Sequence, residues 1–311
     1  MRTTCIEQEE IMGTGITKLG FAGLGQMGKH MAKNLLGPDV ALTVCDLDTQ
    51  LFSSFQAEGA KTTANATELA DCDIIFLSLP GDTAIRSVLL GENGLAQRLT
   101  KGQIVVDLST ISVTLTKEIA SALAAKGVEF LDAPVSGMEA RAKDATLSIM
   151  VGGPSDILAK VDPFLKRMGN KILHVGGPGC GQLTKLINQL LFDINMAALA
   201  EILPMAVKLG LDPVKTGEIV NSGTGRSYAS EFFIPRILRN NFSEGYPMHH
   251  AYKDLVSGAL VGSTECIPLP VLQAATATYQ TALLKGLGKE DKGAMIKIFE
   301  DLLSVTYRLP S

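Results

Sequence analysis

Three glycines near the start of this 311-residue chain have the spacing that a dinucleotide site requires. Gly23, Gly25 and Gly28 form a G-x-G-x-x-G pattern directly after a short apolar run. The first glycine of such a pattern permits a tight turn, the second lets the backbone approach a pyrophosphate, and the third lets a helix pack on a strand. The helix that follows offers unpaired N–H groups to the phosphates. The predicted cofactor-binding residues of this loop are Gly23, Leu24, Gly25, Gln26, Met27 and Gly28.

A carboxylate ends the next apolar run. Asp46 follows the segment Ala41–Cys45 and lies 18 residues after Gly28. A carboxylate at this place accepts hydrogen bonds from the adenosine ribose hydroxyls and repels a 2′-phosphate. Asp48 adds to the repulsion, and residues 45–50 contain no arginine. The predicted cofactor is therefore NAD, with NADP disfavoured.

Polar residues also follow later predicted strands, at the edge of a parallel sheet where ligands bind in open α/β proteins. We expect Leu79, Pro80 and Thr110 to contact the nicotinamide half of the cofactor. Ser136 and Gly137 follow another strand, and a hydroxyl beside a bare backbone N–H suits a substrate carboxylate. By residue type alone, an ordinary Ser-Gly turn explains the same pair.

Two basic side chains are candidates for chemistry in the second half of the chain. Reduction of a carbonyl builds negative charge on its oxygen, and an ammonium group within hydrogen-bond reach can protonate it. Lys185 lies one turn into a long predicted helix, among Leu183, Leu186 and Ile187, which leave it little exposed face. Arg226 lies in a glycine-rich loop and is hypothesised to bind a second acid group of the substrate, the alternative being a surface role.

Alternating elements must position these residues. Up to about residue 177, short apolar runs alternate with helical patterns, which predicts a parallel sheet covered on both faces. The predicted strands are Ile16–Ala22, Ala41–Cys45, Asp73–Leu79, Gln103–Asp107, Glu129–Asp132, Leu147–Val151 and Lys171–Val175. The predicted helices are Gln26–Leu36, Asp48–Glu58, Thr83–Leu90, Val113–Lys126 and Pro154–Met168.

From Gly181 onward the pattern is helical only. The first helix extends to Leu209, and Pro204 should kink it or end its first section. Further predicted helices are Asp212–Asn221, Ser230–Leu238, Tyr252–Ser263, Pro270–Lys285 and Lys292–Ser304. The predicted fold class is α/β, a doubly wound, mostly parallel Rossmann sheet followed by an all-α C-terminal domain. The predicted domains are an N-terminal extension at 1–15, a NAD-binding Rossmann domain at 16–178, and a helical domain for substrate binding and dimerisation at 179–311.

Composition limits the partners of the protein. With a net charge of −4 and no cluster of basic residues, the chain has no signature of nucleic-acid binding. Its five cysteines are widely spread and form no C-x-x-C pair, which predicts neither a disulfide framework nor a metal site and favours the cytoplasm. Residues 1–15 lack the apolar core of a secretory signal. No uninterrupted apolar run approaches the roughly 20 residues that span a membrane, so no membrane partner is expected.

Four separated segments resemble the β-hydroxyacid dehydrogenase family, which includes 3-hydroxyisobutyrate dehydrogenase and tartronate semialdehyde reductase. They are GFAGLGQMGKHMAKNLL at 20–36, FLDAPVSGMEARAKDATLSIMVGG at 130–153, GCGQLTKLINQ at 179–189 and AYKDL at 251–255. The resemblance implies that Lys185 is the general acid/base and that Ser136 and Gly137 bind the substrate carboxylate. It also implies that Lys253 lies beside both the nicotinamide and the substrate.

The chain departs from the family pattern after its lysine. The pattern places an asparagine four residues on, whereas this chain has Asn188 at three and Gln189 at four. Gln189 keeps an amide on one extra methylene, so the resemblance still implies that Gln189 orients the substrate and Lys185. Asn188 is expected to face the first domain or the cofactor.

These features together predict an NAD(P)-dependent oxidoreductase. It would transfer a hydride between the nicotinamide and a small 3-hydroxy acid, or its semialdehyde or keto form, with lysine as general acid/base. The expected assembly is a homo-oligomer, either a dimer or a tetramer. The alternatives are an imine reductase on the same scaffold and a dinucleotide-binding protein without catalytic activity.

Overall fold

Continuous apolar segments form the central strands of a nine-stranded sheet within residues 16–309, the part of the chain that the computed structural model describes. The predicted extension at 1–15 lies outside the described residues. The seven predicted strands are present, each within two residues of its predicted ends. The strands are β1 Thr17–Ala22, β2 Val40–Cys45, β3 Lys61–Thr63, β4 Ile74–Leu77, β5 Ile104–Asp107, β6 Glu129–Asp132, β7 Val135–Ser136, β8 Leu147–Gly152 and β9 Gly169–Gly176.

Six of these strands are parallel and follow the order β3-β2-β1-β4-β5-β6. This is the order of a doubly wound dinucleotide-binding sheet. β8 then pairs antiparallel with β6 and β7, and parallel with β9. The register pairs Ala22 with Leu77, Leu77 with Asp107, and Asp107 with Asp132, so the carboxyl ends of four strands lie level.

Helices cover both faces of this sheet. Ile74 and Phe76 of β4 belong to one hydrophobic cluster, whereas Ile75 and Leu77 belong to another. Because successive strand side chains point to opposite faces, both faces are packed and the doubly wound prediction is confirmed. The helices of this region are α1 Gly28–Asn34, α2 Phe52–Ala57, α3 Asp82–Leu90, α4 Val113–Ala124, α5 Met138–Lys143 and α6 Ser155–Leu165.

The rest of the described chain is helical, as predicted. Between 180 and 309 the only β pairing described is an isolated bridge between Pro247 and Asp291. The first helix continues through Pro204 to its end at Lys208, so the proline does not end it. The helices are α7 Cys180–Lys208, α8 Pro213–Ser222, α9 Tyr228–Leu238, α10 Met248–Thr264, α11 Pro270–Leu284 and α12 Ile296–Leu303.

Contacts between Cα atoms divide the chain into two compact units between Lys185 and Leu186, inside α7. The domain boundary predicted at residue 178 stays a prediction. Among the described residues, α7 is the one helix that could cross a membrane by length and composition, a test that core helices of soluble proteins also pass.

A buried ion pair joins α7 to the C-terminal part of the second unit. Lys292 Nζ donates to Asp193 Oδ1, and both side chains are fully buried. The Tyr279 hydroxyl donates to the same oxygen at 3.3 Å, and Lys292 Nζ lies 4.1 Å from the centre of the Phe192 ring. Burial raises the pKa of Asp193 to about 6, and the charge of Lys292 opposes this rise. The Asp193 carboxylate therefore depends on the charge of Lys292 to stay ionised in this buried position.

We expect Lys292→Met to lower the free energy of unfolding by about 3–5 kcal/mol, because it leaves the Asp193 carboxylate buried without its cation. Urea unfolding followed by circular dichroism measures the change. Lys285→Met is the matched control, since it breaks the exposed pair with Asp301 at 3.5 Å and should cost less than about 1 kcal/mol. Equal losses in the two variants would contradict the assignment of a coupled buried pair.

Candidate active site

The glycine loop between β1 and α1 meets a different constraint at each glycine. Gly23 has φ +97°, and a Cβ there would lie 2.2 Å from the Ser78 carbonyl oxygen. A Cβ on Gly28 would lie 1.9 Å from the Gly23 carbonyl oxygen. A Cβ on Gly25, in contrast, would meet no atom within 4 Å. Packing within the protein does not require glycine at Gly25, and the open space there fits the approach of a pyrophosphate.

Asp46 follows β2 directly, with its carboxylate beside this loop. Its Oδ2 accepts a hydrogen bond from the Leu24 N–H at 2.5 Å, and its Oδ1 accepts one from the Asp48 N–H at 2.8 Å. These bonds hold the carboxylate at the strand end where adenosine ribose binds in dinucleotide-binding folds. The loop and Asp46 therefore fit a bound NAD(P).

The loops after β4 and β5 lie next to the glycine loop. Leu79 N–H donates to Ser109 Oγ at 2.9 Å, which connects the two loops. The Leu79 side chain lies 3.0 Å from the place that a Cβ on Gly23 would occupy. Pro80 and Thr110 are exposed at the same edge. The residues predicted to contact the nicotinamide half thus lie at the edge that carries the glycine loop.

Asp132 holds the start of α7, a role that the sequence pattern did not predict. It is buried at the end of β6, where its Oδ1 accepts from Gly179 N–H at 2.8 Å and its Oδ2 accepts from Gln182 N–H at 2.9 Å. The first N–H groups of a helix have no partner within the helix. The carboxylate supplies acceptors for them and complements the helix dipole. An aspartate at a strand end, in the motif that leads to Ser136, was the available signal.

Gln182 anchors the same helical turn from its side chain. Its Nε2 donates to the Ser109 carbonyl at 2.7 Å, and its Oε1 accepts from the Ile111 N–H at 3.2 Å. Lys185 lies three residues later on the same helix face and is 9% exposed. Lys185 is buried as expected, although Leu183 and Ile187, two of the apolar neighbours named above, are themselves exposed. The face that Lys185 shares with Gln182 is the buried one.

A second carboxyl group lies beside Asp132 on the neighbouring strand. Asp107 pairs with Asp132 in the register of β5 and β6 and is fully buried. Burial raises the pKa of Asp107 to about 7, whereas its bonds with Ser109 act in the opposite direction. Burial also raises the pKa of Asp132, against the backbone N–H bonds of Gly179 and Gln182. Both oxygens of Asp132 accept backbone N–H bonds, whereas Oδ2 of Asp107 has no hydrogen-bond partner among the described residues.

The predicted substrate loop follows β6 directly. β7 continues beside β8 past the end of β6, with Ser136 opposite Ser148. Gly137 has φ +148°, and a Cβ there would lie 2.7 Å from the Arg141 side chain. Met138 follows at φ +61°, a left-handed conformation that is unusual for a residue with a side chain. Ser136 and Gly137 therefore lie beyond the carboxyl end of β6, at the start of a turn in which two successive residues have positive φ angles.

The remaining predicted residues lie in the second unit or beside its start. Asn188 Nδ2 donates to Gln189 Oε1 at 3.4 Å, and Gln189 Nε2 donates to Asp254 Oδ2 at 3.2 Å. Lys253 is exposed in the interior of α10. Arg226 is exposed and pairs with Glu231 of α9 at 3.6 Å, a contact within its own segment. Its assignment to a second acid group stays a prediction.

Neither metal ligation nor disulfide bonding contributes to the described part of the chain. Residues 16–309 contain no group of three or more histidine, cysteine or acidic side chains placed to hold a metal ion. The free cysteines there are Cys45, Cys72, Cys180 and Cys266. Burial raises the pKa of both the Cys45 and the Cys72 thiols to about 11. The raised pKa values and the burial of both thiols disfavour the reactive thiolate form.

Two family models match almost the whole described chain. Residues 18–176 match the NAD-binding domain of 6-phosphogluconate dehydrogenase, and residues 179–299 match the model described as NAD-binding of NADP-dependent 3-hydroxyisobutyrate dehydrogenase. The chain belongs to the β-hydroxyacid dehydrogenase family. The predicted family and the presence of an NAD(P)-binding domain are thereby confirmed.

Individual β-hydroxyacid dehydrogenases match this chain along nearly their whole length. The 2-(hydroxymethyl)glutarate dehydrogenase of Eubacterium barkeri is 38% identical, over 93% of this chain and 97% of that protein. The 2-hydroxy-3-oxopropionate reductase of Escherichia coli is 34% identical, over 91% and 97% respectively. A crystal structure of 3-hydroxyisobutyrate dehydrogenase from Salmonella typhimurium superposes with a TM-score of 0.80 at 30% identity, covering 91% of this chain and 100% of that one. An imine reductase from Pseudomonas sp., at 19% identity and a TM-score of 0.57, shares the fold alone.

We expect Asp132→Asn to destabilise the protein by about 2–3 kcal/mol, because the new amide turns an NH₂ group toward a backbone N–H donor. Hydrogen exchange in the peptide that contains Gln182 should become faster, since the first turn of α7 loses an acceptor. Urea unfolding and exchange followed by mass spectrometry measure the two effects. Asp162→Asn serves as control, because it removes a partly exposed pair between α6 and Lys166, the residue that follows it. Unaltered exchange at Gln182 would refute the capping role.

Proposed function

We propose that this protein is an NAD-dependent dehydrogenase that interconverts a small 3-hydroxy acid and its semialdehyde or keto form. One observation carries the proposal: Lys185 is buried on a helix whose first turn is bonded to the sheet edge that bears the glycine loop. A buried amine at this place has the chemistry to exchange a proton with a substrate oxygen. The relatives named as hydroxyacid dehydrogenases and reductases support the substrate class.

The proposed chemistry delivers a hydride and a proton to the substrate in reduction and removes both in oxidation. When bound, the nicotinamide supplies the hydride in reduction and receives it in oxidation. In reduction, Lys185 Nζ donates a proton to the carbonyl oxygen as negative charge develops there; in oxidation, the neutral amine takes the proton of the hydroxyl. Ser136 Oγ and Gly137 N–H hold the substrate carboxylate by hydrogen bonds that the anionic charge strengthens.

Three further side chains complete the proposed site. Gln189 and Asn188 follow Lys185 by one helical turn and orient the reacting oxygen. Their amides are bonded to each other, and Gln189 is bonded to Asp254, which limits how far these side chains can rotate. Lys253 is proposed to bind both cofactor and substrate, because the segment 251–255 resembles the matching segment of the family.

NAD is the proposed cofactor rather than NADP. The Asp46 carboxylate is held by two backbone N–H groups at the end of β2, and Asp48 follows within the same turn. A 2′-phosphate at this place would meet two negative charges without a guanidinium between residues 45 and 50 to balance them.

We further propose that the protein is a homo-oligomer, a dimer or a tetramer, located in the cytoplasm. Leu183, Ile187 and Leu191 recur every four residues along α7, and each is exposed. A row of exposed apolar side chains on a 29-residue helix supports a subunit interface. The unpaired thiols of the described chain fit a reducing compartment.

We expect Lys185→Ala to lower kcat by at least ~100-fold, since it removes the proton donor and acceptor. Absorbance of the reduced nicotinamide, with 3-hydroxyisobutyrate and a panel of related hydroxy acids, measures turnover. Lys208→Ala is the matched control on the same helix, where the lysine contacts only the Leu303 carbonyl among the bonds described. Near-normal turnover in Lys185→Ala would remove the assignment. A parent protein that binds NAD yet turns over no hydroxy acid would favour the non-catalytic alternative.

We expect Asp46→Ala to raise KM for NAD by about tenfold, because two hydrogen bonds between ribose and a charged acceptor are lost. KM for NADP should fall, since a repulsive charge is removed. Parallel assays with both cofactors measure the change. Asp48→Ala should lower KM for NADP by a smaller factor, since we assign its carboxylate to repulsion of the 2′-phosphate and not to a bond with the ribose; its described bond is from the Gln50 N–H. An unchanged ratio of the two KM values in Asp46→Ala would contradict the ribose role.

A further inference from the structure

Three side chains of the glycine loop and α1 lie within hydrogen-bond distance of the Glu139 carboxylate. Gln26 Nε2 donates to Glu139 Oε2 at 2.9 Å, while Lys29 Nζ and His30 Nε2 each lie 2.9 Å from Glu139 Oε1. These contacts lower the pKa of Glu139 to about 2, with the bonds from His30 and Lys29 as the largest causes. Glu139 is therefore ionised at every pH at which the protein would work.

Glu139 and its three partners belong to two different segments of the proposed site. Gln26 lies inside the glycine loop, and Lys29 and His30 lie in the first turn of α1. Glu139 is the second residue of α5, three residues after Ser136. One carboxylate thus joins the loop that we assign to the cofactor with the loop that we assign to the substrate carboxylate.

The turn that Glu139 ends is held in a costly conformation. Gly137 has φ +148° and Met138 has φ +61°. A residue with a Cβ is strained in the left-handed region, so contacts around the turn must compensate. The Glu139 contacts hold the start of α5 against α1, and Asn34 Nδ2, donating to the Ala142 carbonyl at 2.8 Å, holds its end. Without Glu139, α5 would keep its bond to Asn34 but lose the contacts that tie its first turn to Gln26, Lys29 and His30.

We infer that Glu139 is a positioning residue that couples cofactor binding to substrate binding. A cofactor that orders the glycine loop also orders Gln26, Lys29 and His30, and through them the turn that presents the Ser136 hydroxyl. Because the first ligand to bind has already ordered these side chains, the second ligand loses less conformational entropy when it binds, and the two bind with positive cooperativity. The coupling must be reciprocal. This inference rests on the proposed function, because it takes Ser136 and Gly137 as the carboxylate site.

Glu139→Gln tests the coupling, since it keeps the length of the side chain but removes the charge that Lys29 pairs with and one of the two acceptor oxygens. Calorimetric titration gives the Kd of 3-hydroxyisobutyrate for the free protein and for its NADH complex, a pair of reduced ligands that cannot react. In the parent protein we expect NADH to tighten this Kd at least fivefold, and in Glu139→Gln less than twofold. In steady-state assays the variant should raise KM for the hydroxy acid about tenfold and change kcat less than twofold.

Glu58→Gln is the matched control for Glu139→Gln. It breaks the pair with Lys33, which also leaves α1, has the same 2.9 Å separation and is similarly exposed. We expect it to leave the ratio of the two Kd values unchanged. Should Glu139→Gln fail to fold, His30→Gln removes one of the three contacts and should lower the ratio by a smaller factor.

The outcomes separate the coupling from the proposed function. A ratio of Kd values that stays at the parent level in Glu139→Gln, with turnover intact, would overturn the coupling and leave the proposed function standing. A fall in the ratio to the same extent in Glu58→Gln would also overturn it, because the effect would then belong to α1 in general. A parent protein that binds no member of the hydroxy-acid panel, with or without NADH, would overturn the proposed function and the coupling together.

Discussion

The bond between the Asp132 carboxylate and the start of α7 is the interaction on which the proposed site depends. A helix start presents N–H groups without partners, and burying them unpaired would cost free energy. Asp132 meets this need from the end of β6, within bonding distance of the Gly179 and Gln182 N–H groups. Because Lys185 lies one turn further on, the position of its amine follows from the position of a strand end.

The level carboxyl edge of the sheet makes that bond possible. β1, β4, β5 and β6 end in register, so the loops that follow them are neighbours although they are distant in sequence. Hydrogen bonds then join the loops: Ser109 accepts from Leu79 N–H, and Gln182 bonds to the carbonyl of Ser109. Asp107 lies beneath them with one oxygen that finds no hydrogen-bond partner among the described residues. Its raised pKa, about 7, is the physical consequence of that burial.

Much of this arrangement could be predicted from residue types, and the exceptions have physical reasons. The seven apolar strands and the glycine loop have local signals that tertiary contacts only reinforce. β3 has none, since Lys61–Thr63 is a short polar strand at the sheet edge whose pairing depends on β2. Lys185 is buried as expected, but its helix face is also fixed by long-range bonds from the first turn of α7 to Asp132 and Ser109. The aspartate at the end of β6 was a local sign of the first bond, whereas nothing in the sequence indicated the bond of the Gln182 side chain to Ser109.

The segment of α7 that carries Lys185, Asn188 and Gln189 lies between two buried carboxylates with different tasks. Asp132 caps the helix from another strand, whereas Asp193 belongs to the helix and pairs with Lys292. Rotation of α7 about its own axis would break the N–H bonds to Asp132 near its start and the Asp193–Lys292 ion pair further along. Either change costs several kcal/mol. The directions in which the side chains between these two points leave the helix are therefore fixed. The roles proposed for Lys185 and Gln189 require such a helix, because a misplacement of about 1 Å in a catalytic group can cost about a hundredfold in rate.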